Sequence, residues 1–130
     1  MTQSPADLVN GVYEAFGRGD VPAILGALDE NIEWSAPENL PHGGDFHGRD
    51  AVGGFFQGIG EKWDGIAVEV NEIVSNGERV VVLAHIHGRL RASGDEAGYE
   101  SAHVWTVRDD TLTRFAEYVN APLTLPTARG

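Results

Sequence analysis

The stretch Tyr99-Glu100-Ser101-Ala102-His103-Val104-Trp105-Thr106-Val107-Arg108-Asp109-Asp110-Thr111-Leu112-Thr113-Arg114-Phe115-Ala116-Glu117-Tyr118-Val119 reads as two strands around a turn. β-branched and aromatic residues dominate both arms, and Asp109-Asp110 supplies the turn chemistry. At period two the first arm separates Tyr99, Ser101, His103, Trp105 and Val107 from Glu100, Ala102, Val104, Thr106 and Arg108, and the first set is the buried face. Opposed residues in an antiparallel pair point the same way, so loop length decides which face of the return arm joins it. A two-residue Asp109-Asp110 turn sets His103 against Ala116 and drives Arg114 inward with Tyr118. A three-residue loop, Arg108-Asp109-Asp110 with Asp110 left-handed as the bulge residue, sets His103 against Phe115 and Ser101 against Glu117. The second register is expected, because it turns Thr113, Phe115, Glu117 and Val119 inward and leaves no unpaired Arg buried. Glu117 then lies diagonal to His103, the chain's one obvious acid/base pair. Tyr118 faces the other way, as a structural residue or part of a subunit contact.

Upstream, Ala6, Val9, Val12, Tyr13 and Phe16 recur at helical spacing behind a Ser4-Pro5 cap. Gly17-Arg18-Gly19 ends that helix, and Asp20-Val21-Pro22 starts a second with Ile24, Leu25 and Leu28 on its buried side. Residues 31–36 alternate as a short strand ended by Pro37. Glu38 to Gly48 contains Pro41, Gly43, Gly44 and two histidines and has no period, and reads as a loop long enough to act as a lid. Its His42 and His47 are expected at the surface, the alternative being a lid whose histidines reach a pocket. Asp50 is expected to cap a third helix with Val52, Phe55, Phe56, Ile59 and Trp63 on its stripe.

Ile66, Val68 and Val70 alternate after that helix, and Ser75-Asn76-Gly77 marks a hairpin turn. The strand from Glu78 to Arg91 has Val80, Val82, Ala84 and Ile86 on one face and Val81, Leu83, His85 and His87 on the other, both at least partly buried. Residues 91–98 form a polar loop, and Pro122 to Gly130 is a tail with two prolines. The order ααβαββββ is an α+β arrangement in a single domain, 1–130, with helices early and an antiparallel meander late. A curved sheet wrapped on three helices can enclose a pocket at its concave face.

The chain has 130 residues, 42% of them hydrophobic and 22% charged, which suits one core in one globular domain. It has no cysteine, so disulfides, thiolate metal sites and a Cys nucleophile are excluded. A net charge of −11 repels phosphate backbones and anionic lipid surfaces, and no basic stripe with interleaved aromatics offsets it. Nucleic-acid and membrane partners are therefore not expected. Nothing resembles a leader or a bilayer-spanning run, and a cytoplasmic location is the expectation.

Four motifs in order resemble the SnoaL-like branch of the NTF2-like superfamily: Val12-Tyr-Glu-Ala-Phe-Gly-Arg-Gly-Asp20, Glu33-Trp34, Gly48-Arg-Asp-Ala-Val52 before Phe55-Phe56, and Trp105-Thr-Val-Arg-Asp-Asp110 leading to Phe115-Ala-Glu-Tyr118. The likeness spans residues 5–121. It implies a cone-shaped α+β fold, a curved antiparallel sheet on three N-terminal helices around a deep apolar pocket, and a homodimer formed through the sheet. The superfamily holds polyketide cyclases, ketosteroid isomerases, epoxide hydrolases and dehydratases beside proteins that catalyse nothing, so fold does not name function. In the polyketide cyclases a His and an Asp on the last two long strands act as an acid/base pair, and His103 and Glu117 fall there, the Glu one methylene longer. In the ketosteroid isomerases a first-helix Tyr serves the oxyanion, and Tyr13 is close to that place, without the accompanying Asp pair. His85 and His87 stand where the epoxide hydrolases carry an Arg and an Asp.

The expected chemistry is cofactor-independent proton transfer on a hydrophobic carbonyl compound, of cyclase or isomerase type. Glu117 is the base, poised by burial against the opposing effect of His103, and Tyr13 is a further donor. Phe16, Trp34, Phe56, Trp63, Tyr99, Trp105 and Phe115 are expected to line the pocket with an aromatic wall. Ser101, Val119, His85 and His87 complete the expected ligand-binding set. His85 and His87 alternate as metal ligands can, but no third ligand accompanies them, and no metal is expected. The alternative is a non-catalytic protein that binds a small hydrophobic ligand in the same pocket.

Overall fold

A computed structural model of the chain describes residues 4–120; the tail at 122–130 lies outside the described residues. Helix α1, Pro5–Gly17, begins where Ser4 accepts the Asp7 N–H at 3.1 Å, and it buries Val9, Val12 and Ala15. Asp20 caps the short α2, Val21–Gly26, by accepting the Ala23 N–H at 3.1 Å. Helix α3, Arg49–Lys62, does not use Asp50 as its cap. Gly48 holds that position at φ +89, and Asp50 sits in the first turn, where its charge favours the helix N-terminus. Among the described residues no helix is long and apolar enough to cross a membrane.

Six strands follow the order β2-β1-β6-β5-β4-β3 in one sheet. They are β1 Leu28–Ala36, β2 Gly44–His47, β3 Trp63–Asn76, β4 Arg79–Leu90, β5 Glu96–Arg108 and β6 Thr111–Val119. β2 is a strand inside the stretch expected to be loop, so the order is ααββαββββ. It is four residues long and half exposed, too short to show a period, and it is held by pairing Trp34 with Phe46 and Glu33 with His47. β1 runs parallel to β6; all other neighbours are antiparallel, so the sheet is mixed.

The β5–β6 turn differs from the expected three-residue loop. Asp109 (φ +52) and Asp110 (φ +63) are both left-handed, and Arg108 pairs with Thr111, which makes a two-residue turn of the primed type. The register then slips by one residue between Thr106 and Val107. Thr113 is the extra residue, and its hydroxyl donates to the Thr106 carbonyl at 3.3 Å. One bulge added to an even turn restores the parity of an odd loop. Phe115 and Glu117 are buried and Arg114 is exposed, while Leu112 takes the buried place expected for Thr113. His103 now faces Glu117 directly, not diagonally, and Trp105 faces Phe115.

Left-handed backbone costs an Asp more than a Gly. Asp110→Gly is accordingly expected to stabilise the chain by about 0.5 kcal/mol, net of the entropy Gly loses on folding, read as a higher urea midpoint at unchanged slope. An unchanged or lower midpoint would show that the turn carries no strain at that position.

Two hydrophobic clusters fill the concave side. One joins α1, α2 and α3 to Leu28, Ile32, Trp34, Trp105 and Phe115; the other gathers Leu40, Trp63, Ile86, Leu90, Ala97 and Tyr99. Residues 37–43 fold back over the second cluster, with the Leu40 N–H on the Pro37 carbonyl and the Gly43 N–H on that of Leu40. Only a glycine permits this at 43, because a Cβ there would lie 1.7 Å from the Pro37 carbonyl oxygen. The fold-back buries Leu40 and His42.

Candidate active site

Between the helices and the concave face of the sheet lies an apolar cavity with about 70 Å³ open to the centre of a water molecule. Helix α1 contributes Val12, Tyr13 and Phe16 to its wall, and α3 contributes Phe55, Phe56 and Ile59. The sheet contributes Trp34, Tyr99, His103, Trp105, Phe115 and Glu117, with Ile66, Val68 and Ile86 from its far strands. His42 enters from the fold-back loop. Trp34 stacks on Phe115 with ring centroids 4.0 Å apart, and Trp105 lies 4.6 Å from the same ring.

The polar groups form one chain of hydrogen bonds. Trp105 Nε1–H donates to Tyr13 Oη at 3.0 Å. Tyr13 Oη is 2.6 Å from His103 Nδ1, and His103 Nε2 is 3.1 Å from Glu117 Oε2. Ser101 Oγ–H donates to the same Oε2 at 2.7 Å. An indole can only donate and a carboxylate can only accept, so the direction of the chain is set at both ends. Tyr13 gives its proton to Nδ1, and the His103 tautomer that satisfies both neighbours carries its proton on Nε2. Tyr13 and His103 also stack, 5.8 Å apart and 6° from parallel, which fixes the imidazole plane. Glu117 Oε1 receives no hydrogen bond among the described residues.

Burial pushes the Glu117 carboxyl up, but the hydrogen bond from His103, the charge that ring takes when protonated, the Ser101 hydroxyl and the charge His42 takes when protonated together outweigh it. The net displacement is downward. The balance therefore leaves Glu117 ionised at neutral pH, not poised near it. Burial raises the phenols of Tyr13 and Tyr99 well above their ordinary range, so both remain O–H donors. Burial lowers His42, against the opposing field of Glu117.

These displacements predict an acid-sensitive fold. Glu117 and His42 each bind protons more readily in the unfolded chain, so stability rises with pH. Urea midpoints are expected to hold above pH 7, to fall as pH drops beneath 6.5 through His42, and to fall again beneath 4.5 through Glu117. His42→Gln should remove the first decline and leave the second.

Tyr13, Phe16, Trp34, Phe56, Tyr99, His103, Trp105, Phe115 and Glu117 reach the cavity wall. Trp63, Ser101 and Val119 do not: Trp63 backs His42, Ser101 holds Glu117 from behind, and Val119 packs on the second cluster. His85 and His87 do not line it either. They share a β4 face with Val81 and Leu83, whereas Val80, Val82, Ala84 and Ile86 face inward. On the outer surface the two rings stack at 5.5 Å, His85 bonded to Glu100 and His87 to Glu69 at 3.3 Å. Among the described residues no three metal-binding side chains converge. His47 is at the surface, paired with Glu33 at 2.8 Å.

His42 corrects the surface expectation. It is 7% exposed, and Trp63 Nε1–H donates to its Nδ1 at 3.0 Å. The available signal was Gly43-Gly44 behind it, which marks a close backbone approach.

The family model for the SnoaL-like domain matches residues 9–115. An uncharacterized protein of Mycobacterium tuberculosis is 29% identical over 119 residues, covering 89% of this chain and 88% of its own. An NTF2-like protein from Burkholderia thailandensis superposes with a TM-score of 0.90 at 25% identity, covering 99% of both chains. TerC, crystallised with polyporic acid, superposes with a TM-score of 0.79 at 27% identity, covering 90% of this chain and 92% of that one.

Proposed function

This chain belongs to the SnoaL-like family, and from that premise we propose that it is a cofactor-independent enzyme which moves a proton on a hydrophobic carbonyl compound, as cyclases and isomerases do. The observation that carries this reading is the state of Glu117. It is a carboxylate 7% exposed on an apolar wall, with both of its hydrogen bonds among the described residues on Oε2 and none on Oε1. Oε1 is the atom to accept a substrate proton. His103 has both ring nitrogens engaged within the chain of bonds, so it orients and stabilises Glu117 instead of meeting the substrate. Tyr13 likewise acts through His103.

A base held low works best on an acidic C–H. The reading therefore favours a carbon activated by a carbonyl and a second electron-withdrawing group, in a compound flat enough for the aromatic wall. The co-crystallisation of the similar TerC with polyporic acid supports a small organic ligand for this chain. The test is exchange of the α protons of β-tetralone into heavy water, followed by proton NMR with wild-type chain and with Glu117→Gln. Exchange above the buffer rate that is lost in the variant supports the base. Bound ketone with no exchange in either makes the chain a binding protein.

A further inference from the structure

Counting the polar atoms on the cavity wall separates those used from those left over. Tyr13, His103 and the Trp105 indole are spent on one another. One donor is left over on the wall, His42 Nε2–H, which no hydrogen bond reaches among the described residues. Tyr99 Oη and Trp34 Nε1, also without a partner among those residues, are shielded from the cavity. Against His42 stands one acceptor, Glu117 Oε1. A buried donor without an acceptor is costly, so a ligand that brings an acceptor oxygen to His42 relieves that cost.

The neighbours of His42 hold it as a donor. Trp63 Nε1 can only donate, so His42 Nδ1 must be the unprotonated nitrogen and the ring proton sits on Nε2. Protonating His42 would set two N–H groups against each other, so Trp63 keeps the ring neutral. Phe55 holds the ring edge-on at 5.5 Å, and the Gly43 turn fixes the backbone behind it. A neutral His42 puts no positive charge in the field of Glu117 and still offers a donor on the same cavity wall.

We propose that His42 is a second catalytic residue, whose neutral Nε2–H donates to the substrate carbonyl oxygen and holds the enolate oxygen formed when Glu117 removes the α proton. This rests on the base reading of Glu117. The α C–H bond breaks, its proton goes to Oε1, and its electron pair forms the C=C bond while the carbonyl pair moves onto oxygen. The proton is returned to carbon in the product, and His42 keeps its own proton throughout. Trp63 is a positioning residue, acting only through the His42 tautomer.

β-Naphthol serves as the probe, its ionised oxygen standing for the enolate. In Glu117→Gln the side-chain amide stands for the base after proton uptake, and the probe is expected to bind about tenfold or more tightly than to wild type, a hydrogen bond to a charged group. Adding His42→Leu should cancel that gain, and adding His42→Gln, which keeps an N–H, should retain most of it. Nitrogen-15 spectra of the labelled chain should show His42 with a bare Nδ1 and a protonated Nε2 whose proton moves downfield on probe binding; Trp63→Phe should give mixed tautomers. A gain in Glu117→Gln that survives His42→Leu, with a stationary Nε2 proton, overturns the assignment of His42 and leaves the base reading standing. No gain in Glu117→Gln overturns the base reading. The Nε2 proton then decides alone for His42: a downfield shift supports donation to oxygen, and none refutes it.

Discussion

Glu117→Gln is expected to lower the rate of α-proton exchange by about 10²–10⁴-fold, the range a general base contributes, with ligand affinity retained. The substitution is nearly isosteric, and the local bonds survive it. The Gln carbonyl can accept from Ser101 and His103 as Oε2 does at 2.7 and 3.1 Å, which turns the amide nitrogen to the place of Oε1. The one change at the cavity wall is thus a proton acceptor replaced by a donor. A fold lost in this variant would instead mark the carboxylate as structural, but the desolvation it relieves argues against that. The pH profile supplies a second check. Because Glu117 is displaced downward from 4.5, wild-type exchange should be flat through neutral pH and decline only below that value. A limb centred between pH 6 and 7 would assign the base to a histidine.

The facing of β5 was legible because alternation there is strict: Tyr99, Ser101, His103, Trp105 and Val107 are all buried, as period two requires. The facing of β6 was reached with the wrong turn. An odd loop and an even turn with one bulge have the same parity, and Thr113 carries no glycine to announce the bulge. His85 and His87 were misplaced for a different reason. Their face of β4 also carries Val81 and Leu83, so both faces look apolar, and only the helices packed against Val80, Val82 and Ala84 settle which is inside. His42 had no period to read, since its position follows from a backbone approach between Gly43 and Pro37, to which Gly43-Gly44 points without saying which residue is buried by it.

Tyr13→Phe is expected to cost about 2–4 kcal/mol of stability, a large share of what a domain of this size holds. The ring stays, with its stacking on His103, so no cavity larger than a hydroxyl opens. What is lost is a group that serves two neighbours: Trp105 Nε1–H has no acceptor and His103 Nδ1 no donor. Both are buried, and each unmet group carries a desolvation penalty. The variant should also move the acid limb of exchange upward. Accepting the Tyr13 hydroxyl at Nδ1 polarises the His103 ring and strengthens its Nε2–H donation to Glu117, so without that hydroxyl the hydrogen bond that holds the carboxyl low is weaker. Trp105→Phe separates the two effects. It deletes the first donor of the chain but leaves the Tyr13 proton on His103 Nδ1, so stability should fall while the acid limb stays in place. If both variants lose stability and neither moves the limb, Tyr13 is a packing residue and the chain of bonds from helix to carboxylate has no part in setting the base.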